Sequence, residues 1–149
     1  MSKLVVIDTG VLLNILNVPG NNERYEDVMR ELEAHLKAGD HLFLPLACIL
    51  ETGNHIADIK GGGELRRIYG NIFVNQVEKA LRGEAPWKVI PFPDSQVLMT
   101  WLKEFPDLVM MEFGFADMAI FKAWKDLMQK HPLSEVIIWG TDSKWKSYG

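Results

Sequence analysis

The chain has 149 residues, 48% of them hydrophobic and 24% charged, and a net charge of −4 at pH 7. This composition excludes extensive disorder and predicts a single globular domain over residues 1–149. The acidic balance gives no support to a strongly basic nucleic-acid binder, although bound metal ions could supply positive charge locally.

The cysteine content and the lengths of the apolar runs indicate the compartment. Cys48 is the only cysteine and lies within an apolar run, so there is no disulfide framework and a reducing compartment is favoured. No apolar run approaches the length of a membrane span, and the N-terminus lacks a signal-peptide pattern. We therefore expect a cytoplasmic protein without a membrane segment.

The first half of the chain predicts two strands and the helices between them. Residues 3–8 and 41–46 are apolar runs of the kind found in parallel strands that are buried on both faces. Between them we expect a short apolar helix over 11–16 and a longer amphipathic helix that Asn22 caps and Gly39 ends.

The second half continues the alternation. We expect a helix from near Ala47, then a flexible glycine break and a long amphipathic helix. Residues 88–91 predict a short third strand at a sheet edge because prolines flank its end. Asp94 should cap a helix that breaks at Pro106, and residues 135–140 predict a fourth strand. Strands alternating with helices predict an α/β layered fold around a mostly parallel sheet.

Two acidic residues follow predicted strands directly. Asp8 ends the first strand and Asp142 follows the fourth, and open α/β sheets bind their ligands at the carboxyl ends of strands. Each has an ordinary alternative, because Asp8 can cap the short helix and Asp142 can be a turn residue. Thr9 lies closer to that helix and can cap it, which would leave Asp8 free to face the crevice.

Two further acidic residues lie on predicted helices. Glu51 follows the second strand, and the alternative is a solvated helix face shared with His55 and Asp58. Asp117 falls on the apolar stripe of a helix over 113–130, where a carboxylate is costly unless it is paired or binds a metal. An N-terminal capping role for Asp117 is the alternative, and it fails if the helix covers that whole range.

Together these acids predict a site of oxygen ligands. The scattered histidines and the single cysteine offer no zinc-type spacing, so Mg²⁺ or Mn²⁺ is the expected metal. Carboxylates around a hard divalent cation suit phosphoryl chemistry, because the metal activates water and stabilises the developing charge. Lys144 and Lys146, beside Asp142, are candidates to contact the phosphates of a substrate, or else solvated charges of the tail.

At these residues the chain resembles the PIN-domain family and, more narrowly, the VapC-type toxins of toxin–antitoxin pairs. The resemblance implies a metal-dependent endoribonuclease on a three-layer α/β/α fold with four or five strands. It implies that Asp8, Glu51, Asp117 and Asp142 are the catalytic acids that bind Mg²⁺ or Mn²⁺, and that Thr9 is a hydrogen-bonding neighbour. It also implies an RNA substrate, a small cognate antitoxin and a homodimer. The matching segments follow the family's order and are residues 6–13, 49–51, 115–120 and 141–145.

The chain departs from the family pattern in two places. The family commonly has threonine two positions before its last acid, where this chain has Gly140, although Trp145 matches the aromatic residue expected three positions after that acid. The sequence ends at Gly149, which leaves no room for the usual fifth strand. We therefore expect four strands, or a fourth strand at the sheet edge.

Other functions are compatible with parts of this pattern. A PIN-type nuclease of RNA maturation or decay has the same acids as a toxin. A non-catalytic PIN-fold binding module would be marked by loss of acids, and all four are present. A haloacid-dehalogenase-type phosphatase needs an aspartate where Gly10 stands, and a receiver domain needs acids before the first strand ends, where residues 3–7 have none.

Overall fold

Four short strands form an all-parallel sheet at the centre of the protein. The computed structural model describes residues 2–148, so Met1 and Gly149 of the predicted domain lie outside the described residues. The sheet order is β3-β2-β1-β4, with β1 and β2 in the middle. The prediction of an α/β fold with a mostly parallel sheet is confirmed, and β4 lies at the edge as expected. The strands are β1 (Leu4–Ile7), β2 (His41–Pro45), β3 (Trp87–Ile90) and β4 (Val136–Trp139).

Helices connect these strands in the order that the sequence predicts. Two lie between β1 and β2, two between β2 and β3, and two between β3 and β4. A short 3-10 helix, Ser143–Tyr148, follows β4. Within residues 2–148, no helix combines the length and the apolar character needed to cross a membrane. The α-helices are α1 (Thr9–Ile15), α2 (Tyr25–Ala38), α3 (Leu46–Ala57), α4 (Gly63–Leu81), α5 (Ser95–Val109) and α6 (Phe115–Lys130).

Both faces of the sheet are covered, which explains why β1 has no polar alternation. Val5 and Ile7 belong to a core with residues of α1, α2 and α3, whereas Leu4 and Val6 belong to a second core with residues of α6. Successive side chains of a strand point to opposite faces, so each face of β1 is apolar. Complete burial of a side chain such as Ile7 contributes about 1.5–3 kcal/mol. Helices on both faces are compatible with a three-layer sandwich.

The start of α2 differs from the prediction, and its end agrees with it. Asn22 does not cap α2: its side-chain amide donates to Asn17 Oδ1, and its carbonyl accepts from the Tyr25 N–H in a turn before the helix. Gly39 ends α2 in the left-handed region (φ 73°), as predicted, because glycine has no Cβ to clash there.

Helix α5 passes through Pro106 rather than breaking there. Asp94 caps this helix as predicted, since its carboxylate accepts a hydrogen bond from the Val97 N–H at 3.0 Å. The helix nevertheless continues to Val109, so the predicted break is wrong. α5 buries none of its residues, and water can solvate the carbonyl group that proline leaves without a donor.

Candidate active site

Asp8 lies at the carboxyl end of β1, where the chain enters α1. It occupies the N-cap position with an extended backbone, but its side chain makes no capping hydrogen bond, and the residue is only 7% exposed. Burial raises the pKa of Asp8 to about 6; the Thr9 N–H and the Trp145 side chain oppose this increase, and the charges of Asp117 and Glu51 add to it. Acids from α3 and α6 therefore act on the same buried carboxyl group.

Thr9 joins the end of β1 to α3. Its hydroxyl group donates a hydrogen bond to Glu51 Oε1 at 2.7 Å, and Thr9 itself is buried. The expectation that Thr9 caps α1 is wrong, because Thr9 is the first residue of the helix and its hydroxyl is used by Glu51. Glu51 is partly buried, so it differs from a freely solvated helix residue.

Asp117 lies in the first turn of α6, because this helix begins at Phe115 and not at residue 113. Its Oδ2 accepts a hydrogen bond from the Gly114 N–H at 3.0 Å, which is the capping contact offered above as the alternative. A carboxylate in the first turn is also favoured by the helix dipole. The predicted start of the helix is therefore wrong, and Asp117 has a capping role in addition to its place near Asp8.

Lys144 provides a positive charge within this group of acids. Its Nζ lies 2.8 Å from Asp117 Oδ2 and 3.9 Å from Asp142 Oδ2. Burial lowers the pKa of Lys144, but the hydrogen bond to Asp117 and the charges of Asp117, Asp142 and Asp8 raise it above its ordinary value overall. Lys144 is therefore an internal counterion of the acids in this structure.

Asp142 and Lys146 lie at the outer side of the site. The Asp142 side chain is 53% exposed, and its Oδ1 accepts a hydrogen bond from the Lys144 N–H at 3.0 Å, as a turn residue would. Lys146 is exposed, and among residues 2–148 no carboxylate pairs with it within 4 Å. Asp142 is thus connected to the other acids through Lys144, whereas Lys146 is not.

Sequence reasoning missed the packing role of Gly140. A Cβ at this position would lie 2.5 Å from Trp145 Cδ1 and 3.3 Å from Asp8 Cβ. A side chain at this position would therefore collide with the buried indole ring of Trp145. The signal in the sequence was the glycine itself, at the position where the resemblance leads one to expect threonine.

Gly10 has a similar role at the start of α1. A Cβ there would lie 2.2 Å from Thr141 Oγ1, so the turn after β4 approaches the backbone of α1 closely. The two glycines therefore let the segment after β4 pack against the segment after β1. This contact brings Asp8 and Lys144 to the same side of the sheet.

The residues of this site fit a hard divalent cation in chemical type. Carboxylate oxygens are the ligands that Mg²⁺ and Mn²⁺ prefer, and the raised pKa of Asp8 reflects burial and repulsion that a cation would relieve. Within the described part of the chain, no three acidic, histidine or cysteine side chains are grouped closely enough to hold a metal. Lys144 lies between Asp117 and Asp142 instead, and it would have to withdraw before both could bind a metal.

The fold and this crevice define an α/β protein with acidic residues at the carboxyl edge of a parallel sheet. Comparisons of the chain with protein-family models, with curated proteins and with solved structures each find no match.

Proposed function

We propose that the protein is a Mg²⁺- or Mn²⁺-dependent endoribonuclease of the PIN type that acts as the toxin of a toxin–antitoxin pair. The main support is geometric: the carboxyl group of Asp8 is buried at the end of β1, and the adjacent Thr9 donates a hydrogen bond to Glu51 of α3. Asp8, Glu51 and Asp117 thus come from three different elements near the edge where parallel sheets bind ligands. The four sequence segments that resemble PIN-domain toxins contain these same acids.

The residues of the crevice have separable roles in this proposal. Asp8, Glu51 and Asp117 would hold the metal, and Asp142 would complete the set from the outer side. Thr9 fixes the orientation of Glu51 through its hydrogen bond to Oε1. Bound divalent cations would supply the activation of water and the charge stabilisation that phosphodiester hydrolysis needs.

Lys144 links the metal to the substrate. Its ammonium group neutralises Asp117 and Asp142 in the structure described. A cation bound to these acids would release Lys144, which could then contact a phosphate of the RNA. Lys144 would thus bind a phosphate, and the exposed Lys146 nearby would add positive charge.

A homodimer and a small antitoxin complete the proposal. Large apolar side chains are exposed on α5 and in the turn after it, including Leu102 (52%), Met110 (81%) and Met111 (63%). Exposed apolar side chains of this size, where they form one patch, are typical of protein–protein contacts.

A non-catalytic PIN-fold binding module is the second candidate. It is favoured by the ion pair of Lys144 with Asp117, because this pair satisfies the acids without a metal. In that case Asp8 and Glu51 would be structural, and the surface of the fold would bind a partner.

Incubation of the purified protein with RNA in Mn²⁺ and in EDTA tests the proposal. We expect the wild type and the control Lys103→Ala to cleave RNA in Mn²⁺ only, and Asp8→Asn and Asp117→Asn to be inactive while folded. Cleavage by Asp117→Asn at the wild-type rate would refute the site.

Mapping new 5′ ends after brief induction would identify the target, and unimpaired growth would favour RNA maturation or decay over a toxin.

A further inference from the structure

A groove between α5 and α6 lies beside the acidic crevice and is unused by the proposed chemistry. It holds about 520 Å³, and its walls include Pro45, Ile90, Phe92, Trp101, Lys122 and Lys125. We call it the α5–α6 groove. This volume lies within the range of about 300–1,000 Å³ that is typical of pockets for one small ligand.

The groove begins close to Glu51 on α3. Ala47 lines it and lies one helical turn before Glu51, on the same face of α3. One turn of helix corresponds to about 5.4 Å. A chain bound near Glu51 can therefore continue toward the groove.

The groove combines aromatic surface with positive charge. Phe92 is 46% exposed, Val97 is 43% exposed, and Trp101 is partly exposed, so base-sized apolar surface is accessible. The α6 side of the groove has a net positive charge, although the protein as a whole is acidic. Its charged lining residues are Lys122, Lys125, Lys130 and Asp126. This combination suits a nucleotide, whose base stacks on an aromatic ring while its phosphate binds a cation.

The three lysines differ in how free they are to bind phosphate. Lys122 Nζ lies 2.5 Å from Glu104 Oε2 and joins α6 to α5, and Lys130 Nζ lies 3.0 Å from Asp126 Oδ2. Lys125 Nζ lies 5.8 Å from the centre of the Phe121 ring, and no carboxylate of residues 2–148 pairs with it within 4 Å. Lys125 is therefore the lysine of the groove most available to a phosphate.

We propose that the α5–α6 groove binds one nucleotide of single-stranded RNA next to the nucleotide at the acids, with its base against Trp101 and Phe92 and its phosphate on Lys125. This inference rests on the proposed ribonuclease function for its substrate. In this proposal a surface separate from the metal-binding residues contributes to the affinity and the specificity of RNA binding.

Binding of a fluorescein-labelled oligouridylate with phosphorothioate linkages, measured by anisotropy in Mn²⁺, tests the inference. Trp101→Leu keeps an apolar side chain but removes the stacking face, so we expect binding to weaken about tenfold or more. Lys125→Ala should reduce the slope of log affinity against log salt by about 0.7, the value for one phosphate contact on a single strand. The matched control Lys103→Ala, on α5 outside the groove, should bind as the wild type does.

The outcomes separate this inference from the proposed function. Wild-type affinity and salt slope in Trp101→Leu and Lys125→Ala would overturn the groove, even if the protein cleaves RNA. Weakened binding by both variants would support the groove even if no RNA is cleaved, a result that would refute only the nuclease. A dimer that Trp101→Leu converts to monomer with unchanged RNA binding would overturn the proposal in favour of a contact between copies. If Trp101→Leu does not fold, Phe92→Leu in an exposed loop repeats the test.

Discussion

The ammonium group of Lys144 lies 2.8 Å from Asp117 Oδ2, although the two residues are 27 positions apart in sequence. This ion pair brings the end of the chain to the first turn of α6 and places a positive charge where a metal would be needed. Lys144 and a divalent cation therefore compete for the same carboxylates.

Replacing Lys144 by methionine should have opposite effects on stability and on metal binding. Without metal, Lys144→Met leaves Asp117 and Asp142 without their counterion, and we expect a loss of about 1 kcal/mol, or about 2–4 °C in Tm. Titration calorimetry should show tighter Mn²⁺ binding, because the competing cation is gone. Lys146→Met, at an exposed position, is the matched control and should change neither quantity; equal Mn²⁺ affinity in all three proteins would contradict the competition.

The pKa of Asp8 predicts a specific pH dependence of stability. Since its folded-state pKa of about 6 exceeds the ordinary value of 3.8, the folded protein binds more protons than the unfolded chain between these values. The contribution of Asp8 is therefore fully present below about pH 4 and is lost as the pH rises to about 6, by about 3 kcal/mol in total.

Urea unfolding of the wild type and Asp8→Asn in EDTA measures this loss. The asparagine variant does not titrate, so its stability relative to the wild type should increase from pH 4 to pH 6 and stay constant above. At pH 7 we expect it to be the more stable protein. A variant that is destabilised equally at every pH would mean that Asp8 is a structural residue.

The Asp40 carboxylate should show the opposite pH dependence. Burial raises its pKa, but hydrogen bonds from His35 and the Lys3 N–H, each at 2.7 Å, hold the pKa below its ordinary value overall. Its contribution is therefore present above about pH 4 and is lost as the pH falls further. Asp40→Ala leaves both donors without a partner, and we expect a loss of about 1–3 kcal/mol at pH 7 that shrinks below pH 4. Thermal melts can check this, with the exposed Glu33→Ala as a control; a loss that is independent of pH would refute the role of the charge.

Alanine substitutions at Gly140 and Gly70 form a matched test of the packing at the crevice, where only Gly140 lies. A Cβ at Gly140 would meet Trp145 and Asp8, so we expect Gly140→Ala to cost about 1–3 kcal/mol. Gly70 lies within α4, and in the described chain the space that a Cβ there would occupy is open, so Gly70→Ala should stabilise by up to about 1 kcal/mol. Equal effects of both changes on Tm would show that residue 140 is not confined.

The strands were predictable because each is a short apolar run. Complete burial of β1 on both faces requires such a run, and the sequence shows it at Leu4–Ile7. The order of strands was not predictable, because the pairing of β1 with β4 joins segments that are far apart in sequence. The break predicted at Pro106 is absent because α5 buries none of its residues, so water can reach the carbonyl group that lacks a donor.

The candidate site was predictable in its residues and not in its contacts. Asp8 could be assigned because Ile7 ends a strand and Thr9 begins a helix. The capping contact of Asp117 was not predictable, because the apolar residue Phe113 extends the helical pattern past Gly114, where the helix actually starts. The ion pair of Lys144 depends on the path of the last residues, which local sequence does not determine.

The response of the Tm to Mn²⁺ tests the central claim, that the crevice is a metal site, most directly. A ligand that binds only the folded state at a hundredfold excess over its Kd adds about 2.7 kcal/mol. We therefore predict that millimolar Mn²⁺ raises the Tm of the wild type by several degrees, and that Asp8→Asn suppresses this response although it raises the Tm in EDTA. A wild-type Tm that is identical in Mn²⁺ and EDTA, together with a lower metal-free Tm for Asp8→Asn, would contradict the metal site.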